Sequence, residues 1–418
     1  MPPALRALNH RDYRLFASGQ LVSLIGTWMQ TVAQSWLIYR LTDSAALLGL
    51  VVFASQFPVF LFSSVGGLVA DRLPRGRVVM ITQTGAMLLA FTLAALTLTD
   101  TVVPWHVFVL ASLLGVCNAF DMPARQSFVT ELVPAADLPN AIALNAAVFN
   151  GARILGPALA GVLVTAVGEG WCFLGNGVSF LAVLAGLARI SHKPAPSRQR
   201  QHPLLDLRDG FAFAGRTWPI RTLLLTLAAI GLGGGPYVSL MPIFADRILQ
   251  GGAQALGILM GASGLGALLG TVVLATRGTP ATLWRWVPLA LAGFGIALTL
   301  FAASRLFWLS TLLLVGVGFA LLLSMTSVNT LVQSLVPDQL RGRVMSIYAM
   351  VMMGSTPLGG LLAGAVAELI GAPLTTALGG VVTLAAGFWF YRQVGRMRSA
   401  TASGQELIPG RGRPIDFG

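Results

Sequence analysis

Gly66-Gly67-Leu68-Val69-Ala70-Asp71-Arg72-Leu73-Pro74-Arg75-Gly76-Arg77 sets one acid and three arginines between two long apolar runs. The stretch is too short to be a domain. Its charges cannot enter hydrocarbon, and its glycines let flanking helices approach closely. It reads as a hairpin between two membrane-spanning helices.

The rest of the chain agrees with that reading. Of 418 residues, 55% are hydrophobic and 10% charged, whereas a soluble chain carries about 25% charged residues. Apolar runs long enough to cross hydrocarbon recur from end to end, and short alternating β-barrel segments do not. The expected fold is an all-α membrane protein with twelve transmembrane helices, at about 15–39, 45–70, 78–98, 103–123, 140–167, 171–190, 220–245, 255–275, 286–303, 307–332, 344–367 and 374–391. A polar elbow is expected at 124–139. The first run has no cleavage site after it and reads as a retained span.

The net charge of +12 comes almost wholly from arginine, with Lys193 the single lysine. Its distribution points to a membrane and away from nucleic acid. With a cytoplasmic N-terminus, the outer segments hold only Arg40, Arg247 and Arg305, and Arg153 lies within a span. Every other basic residue falls on the cytoplasmic side, as the positive-inside rule requires. Both termini are therefore expected in the cytoplasm, with the chain in a bacterial inner (plasma) membrane.

Several chemistries are disfavoured. Cys117 and Cys172 sit in separate apolar stretches, which argues against a disulfide framework or a metal site. His10, His106, His192 and His202 fall in loops or at span ends. No Gly-x-x-x-x-Gly-Lys-Ser/Thr nucleotide loop is present. Neither an enzyme nor a cofactor is expected.

An internal repeat organises the chain. Ser127-Phe128-Val129-Thr130-Glu131-Leu132-Val133-Pro134 pairs with Thr330-Leu331-Val332-Gln333-Ser334-Leu335-Val336-Pro337. At the same offset, Gly151, Gly156 and Gly161 meet Gly354, Gly359 and Gly364. Leu48-Gly49 weakly echoes Leu256-Gly257. Two related six-span halves are expected, 1–190 and 220–395, with a cytoplasmic linker at 191–219 and a disordered tail at 396–418. Parallel halves of this kind place a transporter's substrate site near midplane, where they meet.

Uncharged polar groups within spans are the candidate site: Gln30, Gln34, Gln56, Asn118, Asn145 and Asn329, with Tyr237 in an apolar wall. Each also fits a helix–helix contact. Arg153 falls near midplane, where a cation is costly unless solvated or paired, and its repeat equivalent is Thr356. It reads as facing the cavity toward an anionic or catecholate-like group, or as a structural arginine bonded to helix carbonyls. Gly156-Pro157 and Gly234-Gly235-Pro236 read as hinges. Asp121 is the one acid placed within a span, about one turn from its cytoplasmic end.

The opening hairpin resembles the loop motif between spans 2 and 3 of the major facilitator superfamily. Gly151-Ala152-Arg153-Ile154-Leu155-Gly156-Pro157-Ala158-Leu159-Ala160-Gly161 resembles, loosely, its exporter-associated span 5 motif. His10-Arg11-Asp12-Tyr13-Arg14-Leu15-Phe16 and Phe120-Asp121-Met122-Pro123-Ala124-Arg125-Gln126 resemble the enterobactin-exporter and transmembrane secretion effector branch. The resemblance implies proton-driven export of a siderophore- or drug-like amphiphile by alternating access, in a monomer. Protons would load on Asp121 or on the outer acids Asp246 and Glu368. It also implies a charge network of Asp71, Arg72, Asp121 and Arg125, with Arg75 and Arg77 in the same hairpin, that gates the cytoplasmic face. The alternatives are an importer or lipid transporter of the same fold, or a non-transporting membrane partner.

Overall fold

The computed structural model describes residues 3–190 and 211–402. Residues 191–210 of the expected linker and residues 403–418 of the expected tail lie outside the described residues.

The described chain is helical from end to end. The first half holds α1 (Arg11–Thr42), α2 (Ala45–Arg72), α3 (Arg75–Leu98), α4 (Pro104–Leu132), α5 (Leu138–Val167) and α6 (Glu169–Ala188). The second holds α7 (Trp218–Ile248), then α8 (Gly252–Arg277), α9 (Pro280–Ala303), α10 (Phe307–Leu335), α11 (Asp338–Ile370) and α12 (Ala372–Ala402). Among the described residues, 11 helices are long and apolar enough to cross a membrane, and α1 is not one of them. Its 32 residues suffice in length, but glutamine, serine and threonine interrupt its apolar surface.

Local chemistry sets the joints. Asp43 closes α1 in the left-handed region at φ 52°, which short polar side chains tolerate. The Ser44 hydroxyl then accepts from the Leu47 amide and caps α2. α7 is interrupted where Gly231-Leu232-Gly233-Gly234-Gly235-Pro236 stands. Residues 230–234 form a π turn, and the Gly235 amide reaches back to the Ile230 carbonyl at 2.8 Å.

Two boundaries differ from expectation. α4 does not stop at Pro123 but runs through it to Leu132, so the elbow shrinks to residues 133–137. A proline removes one amide, and neighbouring helices hold a membrane helix together across it. The Asp121–Arg125 ion pair also bridges that turn. Asp121 therefore lies about 16 Å from the end of α4, at 1.5 Å per residue, and not one turn from it. α12 also continues to Ala402, past the expected end of the second half at 395.

We name the face carrying Arg72, Arg75 and Arg77 arginine-rich, and the face carrying Asp43 arginine-poor. Within the first half α2 packs on α4, α1 on α5 and α6, and α3 on α4 and α6; within the second, α9 packs on α10 and α12, and α8 on α10. Two large joints, α2–α11 and α5–α8, hold the halves together, with smaller contacts of α7 on α1 and α2 and of α1 on α8. Each joint is a glycine-to-glycine approach near the arginine-poor face. A Cβ on Gly49 would lie 3.1 Å from Gly364 Cα, and one on Gly257 would lie 2.8 Å from Gly161 Cα. These are the glycines that the repeat pairs, so the two seams are copies of one contact.

Candidate substrate cavity

α1 carries Gln20, Ser23, Thr27, Gln30 and Gln34 at steps of three and four, which places them on one helix face. That face lines a cavity of about 200 Å³. α2 adds Ser55 and Gln56, α3 adds Thr82 and Gln83, α4 adds Asn118, Asp121 and Arg125, and α6 adds Asn176. The second half contributes Val238, Ser239 and Met260. The walls therefore come mainly from the first half. The polarity that makes α1 a poor lipid-facing helix is the polarity that faces this space.

The cavity's end toward the arginine-rich face is a connected polar cluster. Asp121 is 4% exposed. Its Oδ1 accepts from Thr82 Oγ1 at 2.9 Å and Gln83 Nε2 at 3.0 Å, and its Oδ2 meets Arg125 Nε at 3.1 Å. Arg125 Nη1 donates to Gln20 Oε1 at 3.0 Å. The acid and the arginine neutralise each other, as a buried pair must to be tolerated. Gln20 Nε2 and Gln83 Oε1 are buried without a partner. Buried polar atoms are ordinarily bonded, so this donor and this acceptor are available to water or to a ligand. Farther along, Asn176 Nδ2 donates to Gln30 Oε1 at 2.7 Å.

At the other end the cavity lies beneath contacts that join the halves. Tyr39 donates to Asp246 Oδ2 at 2.9 Å, and Arg247 pairs with Asp43. Glu368 Oε2 accepts from Ser44 Oγ at 3.1 Å and from the Ala46 amide at 3.0 Å, at the positive end of α2. Arg247 and Asp43 are more than half exposed, so their pair adds about 0–1 kcal/mol. The closure rests on the sum of these bonds with the two glycine seams.

The expected site residues divide. Gln30, Gln34, Gln56 and Asn118 line the cavity, whereas Asn145, Arg153, Tyr237 and Asn329 do not. Tyr237 is buried and bonded to Ser263 at 2.7 Å, and Asn329 accepts from Gln333 at 2.5 Å on its own helix. Arg153 sits with its guanidinium 5.7 Å over the Trp28 ring. Among the described residues it makes no hydrogen bond or ion pair. A cation at this depth costs about 2.5–3.5 kcal/mol on insertion scales, and a cation–π contact returns about 0.5–2 kcal/mol. The ring offsets only part of the cost.

The expected gate also divides. Asp121 and Arg125 meet, and Arg75 reaches Glu131 on α4 at 2.8 Å. Among the described residues Asp71, Arg72 and Arg77 make no ion pair, and Asp71 is not joined to Asp121. Of the hinge residues, Gly234, Gly235 and Pro236 lie at the interruption of α7, while α5 runs unbroken through Gly156 and Pro157. Gly156 lets α5 close on α1, where an added Cβ would lie 2.8 Å from the Ile25 carbonyl. Sequence reading passed over Gln20, Ser23, Thr82, Gln83 and Asn176. The heptad-like spacing on α1 was the signal available for the first two.

The family profile of the transmembrane secretion effectors matches residues 3–409. The chain belongs to that family. It is a membrane transporter of the major facilitator superfamily and not an enzyme. It is 27% identical to the staphyloferrin A transporter of Staphylococcus aureus, over 90% of this chain and 95% of that one. It is 29% identical to the multidrug efflux pump Tap of Mycolicibacterium fortuitum, over 85% and 89%. It is 25% identical to the enterobactin exporter EntS of Shigella flexneri, over 87% and 86%. Its fold is also that of a bacterial homologue of the lysosomal transporter Spinster in an inward-facing, unoccupied conformation. That match has TM-score 0.72 and 14% identity, and covers 98% of this chain and 100% of the other.

Proposed function

We propose that this transporter exports an amphiphilic small molecule, siderophore- or drug-like, by alternating access driven by the proton gradient. The carrying observation is the polar face of α1 lining a cavity that reaches from beneath the arginine-poor clamp to the Asp121–Arg125 cluster. In this reading twelve spans form two six-helix bundles, 1–190 and 220–395, and the protein acts as a monomer. The arginine-rich face and both termini are cytoplasmic, following the positive-inside rule.

Substrate loads from the arginine-rich face onto Gln30, Gln34, Gln56 and Asn118. At about 200 Å³ the cavity is smaller than the 300–1,000 Å³ typical of drug-sized ligands, so loading widens it on that side. Release requires the clamp at Tyr39, Asp43, Asp246, Arg247 and Glu368 to part, with α7 bending at Gly234-Gly235-Pro236. Protons from outside load on Asp246 and Glu368, whose carboxylates accept the cross-half bonds, or on Asp121. In the opposite state the Asp71–Arg77 hairpin closes the arginine-rich face.

The test is transport in sealed vesicles under an imposed pH gradient, with a siderophore and a fluorescent amphiphile as probes. The reading expects gradient-dependent movement that Gln34→Ala combined with Gln56→Ala reduces at least tenfold. No movement of either class of probe with the gradient in place would sink it.

A further inference from the structure

Arg153 stands in the middle of α5, about 22 Å from either end at 1.5 Å per residue. It lies where the α5–α8 seam ends, since a Cβ on Gly264 of α8 would come within 3.0 Å of the Arg153 carbonyl. Its guanidinium lies over the Trp28 ring of α1. Phe149 stands edge-on to Trp28 at 5.7 Å and extends the aromatic wall.

This spot adjoins the cavity. Thr27 and Thr31 flank Trp28 on α1, Val238 follows Tyr237, and all three line the cavity. The charges also leave a remainder. Asp121 and Arg125 cancel each other, while Arg153 has no counter-charge among the described residues. Tyr237 cannot supply one, because its hydroxyl is neutral and already bonded to Ser263. The scaffold does not demand a cation here either. Thr356, at the equivalent position of the repeat, bonds only to its own helix at Met352, 3.2 Å away.

We propose that Arg153, with Trp28 and Phe149, docks a carboxylate or similar planar oxyanion borne on an aromatic or apolar body, so that the transported molecule is an anion. The guanidinium fork matches such a group in two parallel bonds, and the indole face accepts the body beside it. This rests on the reading of the cavity as the transport route and adds the charge class of its cargo. A lipid phosphate offers similar chemistry, but headgroups stay at the interface, about 15 Å from a residue near midplane.

The experiment measures binding of naphthalene-2-carboxylate and its neutral carboxamide to the full protein in discs of zwitterionic lipid. The wild type is expected to prefer the carboxylate at least tenfold. Arg153→Gln removes the preference, Arg153→Lys keeps part of it, and Thr356→Gln leaves it intact. Equal binding of the two probes by the wild type, which needs no variant to be folded, overturns the assignment. So does an unchanged preference in Arg153→Gln. Adding phosphatidylglycerol to the discs tests the lipid source, and abolition of the preference by it assigns the site to headgroups and overturns a transported acid. The vesicle assay is separate: absent flux there with the preference retained here removes the transport reading and leaves the anion site standing.

Discussion

On the arginine-poor face, beside the Arg40–Glu169 pair inside the first half, bonds run between the two halves of the chain: Tyr39 to Asp246, Asp43 to Arg247, and Ser44 with the Ala46 amide to Glu368. On the arginine-rich face and in the end of the cavity that points toward it, the ion pairs described run within one half: His10 to Asp137, Arg75 to Glu131, Asp121 to Arg125, and Arg341 to Asp338. A pair inside one half travels with it and does not resist separation. A pair between halves must break before they part. The first face is therefore a clamp, and the pairs of the second brace each half as a body. The glycine seams sit with the clamp, which puts backbone contact and polar contact at the same end of the molecule.

The largest way to break this comparison is to fill a seam. Gly257→Leu would drive its side chain into the Pro157 carbonyl, already 2.5 Å from the Cβ position. Transport should fall at least a hundredfold, with the protein still eluting as a single species. Gly49→Leu should do the same at the symmetric seam. A loss at one seam and not at the other, measured by vesicle flux, would refute their equivalence.

Next in size is Asp121→Asn, which leaves the half-buried Arg125 without its counter-charge. Breaking a buried pair from one side costs about 3–5 kcal/mol, so a clear fall in melting temperature should accompany lost transport. Asp121→Asn with Arg125→Gln should recover much of the stability. If the double variant melts no higher than the single one, the cluster is not the brace described.

Tyr39→Phe is milder. One hydrogen bond is worth about 1 kcal/mol, so the equilibrium should shift about fivefold toward opening at the arginine-poor face. Thiol reactivity of Ser239→Cys, a cavity position beneath the clamp, reports that shift. Smallest is Asp71→Asn. Among the described residues Asp71 makes no ion pair, so ligand affinity should change less than twofold while transport slows. Unchanged transport would return the hairpin to an ordinary turn.

Much of the helical architecture was legible from apolar run length and from charge at the turns. α1 was legible as a helix, but its role shows only in three dimensions. The same glutamines that lower its hydropathy face the cavity, and their spacing carries that information. The extent of α4 was not legible, because Pro123 looks like a terminator in a single strand of text, and the neighbours that support the helix across it are far apart in sequence. Within the site, Gln30, Gln34, Gln56 and Asn118 were found as polar residues in apolar runs. Gln20 and Gln83 were missed because they lie near span ends, where polarity is expected anyway. Arg153 was flagged for its depth, yet its seat against Trp28, off the cavity lining, follows from how α5 crosses α1. The partners of Tyr39 and Asp43 lie more than 200 positions away, and local pattern cannot pair residues at that distance.

The most direct test of the central claim is to fasten the clamp. With Cys117 and Cys172 replaced by alanine, Asp43→Cys and Arg247→Cys are joined by a cleavable bis-maleimide, and efflux of a fluorescent amphiphile from vesicles is followed. The account predicts that the joined protein still binds its ligand from the arginine-rich face, moves none of it, and regains full flux on cleavage of the linker. Undiminished flux in the joined protein would contradict it.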